Sequence, residues 1–167
     1  MRKNQVNMEI REIQIIVQSF SGAEELGEED ARLVRAAREA TAGAYAPYSG
    51  FKVGTALLLG NGEIVTGSNQ ENAVFPAGSC AERSALFWAQ SNFPDQAVRT
   101  VAVTAVDRSG SRAVNSSPCG ICRQALLENE FRFGKPIRIL LDCRDRIDLL
   151  SGISALLPLS FGPGVLG

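Results

Sequence analysis

The sequence predicts a single α/β domain with a mixed sheet lying between helices. Three observations carry that expectation. A helical pattern runs from Glu28 to about Tyr45. Two strand-like segments flank Asn61-Gly62. Two near-continuous apolar runs, VRTVAVTAVD and PIRILLDC, alternate with segments of high helix propensity. No repeat, low-complexity tract or linker interrupts the 167 residues, whose 45% apolar content suffices for one core and a recessed site.

The elements follow in order. EIREIQIIVQ (Glu9 to Gln18) is rich in Ile and Val and partly alternates, which fits a strand, or a short helix. In EEDARLVRAAREATAGAY, acidic residues fill the first turn and Leu33, Val34, Ala37 and Ala40 recur at helical spacing. KVGTALLL and EIVTGSN form a hairpin about Asn61-Gly62, a pair that favours a type I′ turn. The loop NAVFPAGS leads into the helix CAERSALFWAQ, and VRTVAVTAVD follows as a strand covered on both faces. After SGSRAVNSS, Pro118 marks a helix start, CGICRQALLENE supplies that helix, and PIRILLDC adds a buried strand before a short helix ending near Pro158.

Composition excludes several classes. With 17 basic against 18 acidic residues there is no field to gather a polyanion or hold an anionic membrane, so neither nucleic acid nor a membrane is an expected partner. The N-terminal MRKNQVNMEIREIQ mixes charge into the stretch where a signal peptide needs an apolar run, and no later segment reaches membrane-span length. A cytoplasmic protein is expected. In that compartment Cys80, Cys119, Cys122 and Cys143 read as metal ligands or catalytic thiols rather than disulfides. The chain has no histidine, so no Ser-His-Asp or Cys-His pair exists and any metal rests on thiolates and carboxylates.

The chemistry concentrates at two helix starts, Cys80-Ala81-Glu82 and Pro118-Cys119-Gly120-Ile121-Cys122. Cys119 and Cys122, three apart, share a face and can grip one ion, which Cys80 closes from the neighbouring helix. Three protein ligands leave a fourth position open for water, the mark of catalytic zinc. Three thiolates give Zn²⁺ a net charge of −1, which two helix N-termini and the guanidinium of Arg83 offset. Glu82 projects away from the ligand direction and is the general acid/base. Taken alone, Cys119-x-x-Cys122 also fits a redox dithiol or half of a structural zinc site. Cys143, ending a buried strand, behaves as a small core residue rather than as the fourth ligand of a closed site.

On these residues the chain resembles the small, homotetrameric, zinc-dependent cytidine deaminases. The likeness runs through APYSGFKVGTALL, GSNQENAVFPAGSCAERSALF, PCGICRQALLE and LLPLSFGP, nearly everything after the first 25 residues. It implies an α/β/α three-layer fold with about five strands, a catalytic domain over 26–167 and an N-terminal extension over 1–25 that contributes at most an edge strand or subunit contact. It also implies water attack on C4 of cytidine or 2′-deoxycytidine, with Glu82 moving protons to N3 and to the departing amine, giving uridine or 2′-deoxyuridine and ammonia in pyrimidine salvage. By similarity, Asn69 and Glu71 bind ribose hydroxyls, the Ala81 N–H bonds the base carbonyl and Phe51 lies against the ring. Tyr48 and Phe161 resemble parts of sites shared between subunits, and Gln124, beside Arg123, a supporting residue beneath the ligand loop. Two residues depart from the common pattern: Phe75 stands where many relatives have tyrosine, and Thr55 where alanine is common. A carboxylate at Glu71 repels a 5′-phosphate, which favours a nucleoside over a nucleotide. A modified cytosine nucleoside or nucleoside antibiotic is the alternative substrate.

Overall fold

A computed structural model describes residues 8–165. Its one sheet has six strands in the order β1-β6-β5-β4-β2-β3, formed by Gln18–Phe20, Lys52–Leu59, Ile64–Ser68, Val98–Val106, Arg138–Asp142 and Ile147–Ser151 as β1 to β6. Only β4 and β5 run parallel, and every other neighbouring pair is antiparallel. The main helices are α1 (Glu28–Ala40), α2 (Ala81–Asn92) and α3 (Gly120–Phe133).

Strand alternation divides the core into two layers. Ala56 and Leu58 of β2, Ala102 of β4 and Leu140 of β5 meet Leu33, Val34 and Ala37 of α1 on one face. Leu57 and Leu59, with Val101, Val103 and Ile139, meet Ala85, Leu86 and Leu126 of α2 and α3 on the other. Helices therefore cover both faces, the three-layer arrangement expected. Two glycines set the spacing: a Cβ at Gly54 would strike the Ala37 carbonyl, and one at Gly67 would lie 2.7 Å from the Ala81 carbonyl and 2.6 Å from the Ala85 nitrogen. The Gly67 approach seats the first turn of α2 directly on β3. Trp88, the sole tryptophan, stands half-exposed on α2 with its ring edge-on to Phe93 at 6.0 Å.

Three expectations are corrected. The sheet has six strands, not five, because RIDLLS turns back through Arg144-Asp145 as β6, antiparallel to β5, where a short helix was expected; beyond it the described residues hold only two single 3₁₀ turns, Ile153–Ala155 and Pro163–Val165. At the N-terminus pairing begins only at Gln18, where β1 joins β6; residues 8–17 form no regular element, and Ile10 and Ile16 are exposed. Residues 1–7 of the expected extension lie outside the described residues. The β2–β3 turn is not type I′, since of its residues only Gly62 has positive φ (+88°), while the Asn61 side chain accepts from the Glu63 N–H at 3.1 Å.

A charged network clamps the sheet next to the site. Asp142, fully buried at the end of β5, accepts from Arg38 Nε and Nη2 at 2.8 Å each, from Thr104 Oγ1 at 2.6 Å and from Arg112 Nη1 at 2.7 Å. Burial by itself raises its pKa, but the bonds from Arg38 and Thr104 and the charges of Arg38 and Arg112 outweigh it and hold the carboxyl below its ordinary value. A depressed folded pKa makes this a contribution present above the unfolded value of about 4 and lost as pH falls below it. Asp142→Asn is expected to cost about 3 kcal/mol of unfolding free energy at neutral pH, with a smaller cost well below the unfolded pKa, as read by urea titration at pH 7 and about pH 3.

Candidate active site

The site is built where two helices begin. Cys80 and Cys119 occupy the N-cap positions of α2 and α3 with extended backbones, so their thiols stand at the positive ends of both helices. Cys122 follows one turn into α3 and is buried. The sulfurs of Cys80 and Cys119 are 3.7 Å apart, those of Cys119 and Cys122 are 3.5 Å apart, and all three lie within 4.8 Å of one another. A tetrahedral zinc with Zn–S bonds of about 2.3 Å sets its sulfurs about 3.8 Å apart, so the trio fits that ion. Among the described residues this is the one cluster of metal-ligating side chains, and Cys143, buried at the end of β5, is outside it.

At Cys80 the surroundings favour thiolate. The Cys80 thiol is pulled down to about 5, foremost by the hydrogen bond from Cys122 and further by Arg83, whose Nη2 lies 3.9 Å from the sulfur. Cys122, the donor of that pair, is pushed up. Glu82, in the first turn of α2, is 4% exposed, and burial, its largest influence, raises its pKa. Ala81 is fully buried in the same turn, where the first N–H groups have no partner within the helix.

A cavity of about 720 Å³ opens above the thiols, with Cys80, Cys119 and Glu82 at one end and Asn69, Glu71, Tyr48 and Phe51 also lining it. The chain after β3 positions that second group. Gln70 exchanges backbone hydrogen bonds with Ser79 at 2.8 and 2.9 Å, and the Glu71 N–H donates to the Tyr45 carbonyl at 2.8 Å, tying the segment both to Cys80's neighbour and to the loop before β2. The Asn69 side chain accepts from the Val53 N–H at 2.8 Å and donates to the Phe51 carbonyl at 2.9 Å. The Glu71 carboxylate accepts from the Tyr48 N–H at 2.9 Å and the Ser49 hydroxyl at 2.5 Å, and these bonds, the hydroxyl's first, hold its pKa below the usual range. Both residues therefore brace the segment that leads into β2, from Tyr48 to Val53, as well as lining the cavity.

Phe161 and Gln124, expected at a site shared between subunits and as support, lie outside the lining of this cavity in one chain. Phe161 is exposed, and Gln124 donates to the Phe161 carbonyl at 3.0 Å. Arg123 also holds the ligand loop, donating to the Pro118 carbonyl at 2.8 Å, the Leu156 carbonyl at 2.6 Å and the Ser117 hydroxyl at 3.1 Å. Its position four residues after Cys119, on the same helix face, was the available sequence signal. Phe75 stands exposed at the rim with its ring 6.0 Å from that of Tyr48, and the buried Thr55 hydroxyl has no hydrogen-bond partner.

Residues 27–134 match the profile of the family described as the cytidine and deoxycytidylate deaminase zinc-binding region. The chain belongs to this family. As a family member it is an enzyme of the hydrolytic deaminase class whose zinc site corresponds to the Cys80, Cys119 and Cys122 cluster. The cytidine deaminase of Halalkalibacterium halodurans is 45% identical over 96 residues, covering 58% of this chain and 68% of that protein. That of Mycobacterium tuberculosis is 41% identical over 105 residues, covering 61% of this chain and 74% of the relative. In fold, the crystal structure of cytidine deaminase from Burkholderia pseudomallei superposes with a TM-score of 0.67 at 36% identity, over 78% of this chain and 97% of that one.

Proposed function

We propose that this deaminase converts cytidine and 2′-deoxycytidine to uridine and 2′-deoxyuridine with release of ammonia, a step of pyrimidine salvage. The observation that carries the reading is a buried carboxyl, Glu82, beside a zinc-type thiol cluster in a cavity that also presents Asn69 and Glu71. Zinc held by Cys80, Cys119 and Cys122 supplies Lewis acidity that brings the pKa of water toward neutrality. Glu82 takes a proton from the attacking water and passes it to N3 as the C4–O bond forms, then takes the proton of the new C4 hydroxyl and delivers it to the amine as the C4–N bond breaks, leaving the C4 carbonyl and ammonia. The Ala81 N–H, at the start of α2, holds the base carbonyl; Phe51 packs on the ring; Asn69 and Glu71 receive the sugar hydroxyls. The Glu71 carboxylate, with pKa held low, repels a 5′-phosphate.

Arg83 offsets the thiolate charge, and Gln124 supports the site indirectly through the Phe161 segment. Residues 26–167 are the catalytic domain and 1–25 its extension. A homotetramer with shared sites accounts for Tyr48 and Phe161 and for half or more exposure of Phe87, Trp88 and Ile121 on α2 and α3. The four free cysteines fit a cytoplasmic location, and the balanced charge fits neither nucleic acid nor membrane as partner. No helix among the described residues is long and apolar enough to cross a membrane. Ultraviolet-monitored turnover of cytidine, its 5′-monophosphate and modified cytosine nucleosides, with and without chelator, tests the assignment. Cytidine left unchanged by zinc-loaded protein would reject it, and turnover of a modified nucleoside alone would transfer it to that substrate. Light scattering at the mass of one chain would reject the tetramer.

A further inference from the structure

The loop that carries Tyr48, Ser49 and Phe51 precedes β2 and forms one wall of the cavity. Its inner side is fixed by Glu71, which accepts from the Tyr48 and Ser49 N–H groups at 2.9 and 3.3 Å. Those bonds leave the carbonyls of the same residues facing outward. Both are taken by one side chain from the connection between β4 and α3: Arg108 donates from Nη2 to the Tyr48 carbonyl at 2.7 Å and from Nε to the Ser49 carbonyl at 2.9 Å. Charge-assisted bonds to two successive carbonyls suit the planar guanidinium fork, which fixes direction as well as distance.

The fork is itself anchored. The turn after Arg108 closes on the Asp107 carboxylate, which accepts from the Ser109 N–H at 2.9 Å, the Ser109 hydroxyl at 2.6 Å and the Ser111 N–H at 3.2 Å. Gly110 takes the positive φ (+79°) that the turn requires, and Arg144 Nη2 reaches the other Asp107 oxygen at 3.5 Å. On the receiving side Gly50 has φ +66°, and a Cβ there would collide with the Arg108 Cγ. The loop is thus pinched between Glu71 and Arg108, with glycine at the only point where the arginine stem crosses it. Among the described residues Arg108 makes no hydrogen bond of its own to Glu82 or to the thiols at the starts of α2 and α3; its bonds to the cavity wall are to the Tyr48 and Ser49 carbonyls.

We propose that Arg108 is a positioning residue for nucleoside binding, holding the Tyr48–Phe51 loop against Glu71 so that the sugar end of the cavity is formed before substrate arrives. The sugar-end assignment rests on the function proposed above; the brace does not. Loss of the fork frees the loop, and substrate binding must then order it, which weakens ground state and transition state alike and appears in KM. Lysine can reach one carbonyl but cannot span both.

The test compares R108A and R108K with wild type by two readouts. Deuterium uptake of nucleoside-free protein should rise in the peptide containing residues 46–51 for R108A, with uptake in α2 and α3 unchanged. KM for cytidine should rise about tenfold in R108A with kcat within about twofold, and R108K should fall between. Unchanged exchange at 46–51 overturns the brace, and an unchanged KM, or a fall in kcat together with zinc content, overturns its role in binding. Because the exchange measurement needs no turnover, a wild type inactive on cytidine would refute the substrate assignment while the brace is still decided.

Discussion

Glutamine in place of Glu82 is expected to lower kcat for cytidine by about 10³- to 10⁴-fold with zinc content unchanged. The substitution keeps the size of the side chain but removes the carboxyl proposed above to accept and return the protons of both transfers. Burial raises the pKa of Glu82, which brings its basicity closer to the working pH than that of a solvated glutamate. The residue is 4% exposed and packed in the first turn of α2, so the neutral isostere removes a buried ionisable group without opening a cavity. Single-turnover kinetics beside metal quantitation separates the two possible outcomes. A variant that keeps both metal and rate would show that the carboxyl is not the proton carrier.

Serine at Cys119 is expected to weaken zinc affinity by more than about 100-fold and to abolish activity at ordinary zinc concentrations. Cys119 is the middle of the trio, within 3.7 Å of Cys80 and 3.5 Å of Cys122, so its loss opens the site on both sides. Cys143→Ser is the matched control, because Cys143 is buried at the end of β5 and outside the cluster; full zinc content is expected there, with a small loss of stability. Competition with a chromophoric chelator measures both variants. Zinc loss from the Cys143 variant, or retention by the Cys119 variant, would contradict a three-sulfur site.

How much of this was legible in the sequence depended on whether the deciding interaction was local. Cys80 and Cys119 were readable because both precede helix-forming runs, and a helix start dictates where its N-cap side chain stands. The α1 face was readable because Leu33, Val34 and Ala37 repeat at helical spacing and all three are fully buried. β6 was not, because IDLLSGISALL carries no alternation that separates strand from helix; what selects the strand is pairing of Ile147 with Asp142 and Leu149 with Leu140 across the sheet. The apolar run before Gln18 misled for the converse reason, being rich in β-branched residues but meeting β6 only over Gln18–Phe20. Arg123 and Arg108 were missed as site components because their partners are backbone carbonyls, which leave no mark in residue identity. The role of Asp142 leaves no local signal, because Arg38 and Arg112 reach it only across the fold.

The single indole at position 88 gives this enzyme a built-in optical reporter. It rides the same helix as Glu82, six residues further along, and about half of its surface faces solvent in one chain. Fluorescence from a monomer should peak at long wavelength, and any neighbouring copy that covers α2 should shift the emission toward the blue and shield it from iodide. A dilution series read at one excitation wavelength would therefore follow assembly without a label, and the same signal during denaturation would distinguish subunit separation from loss of the fold.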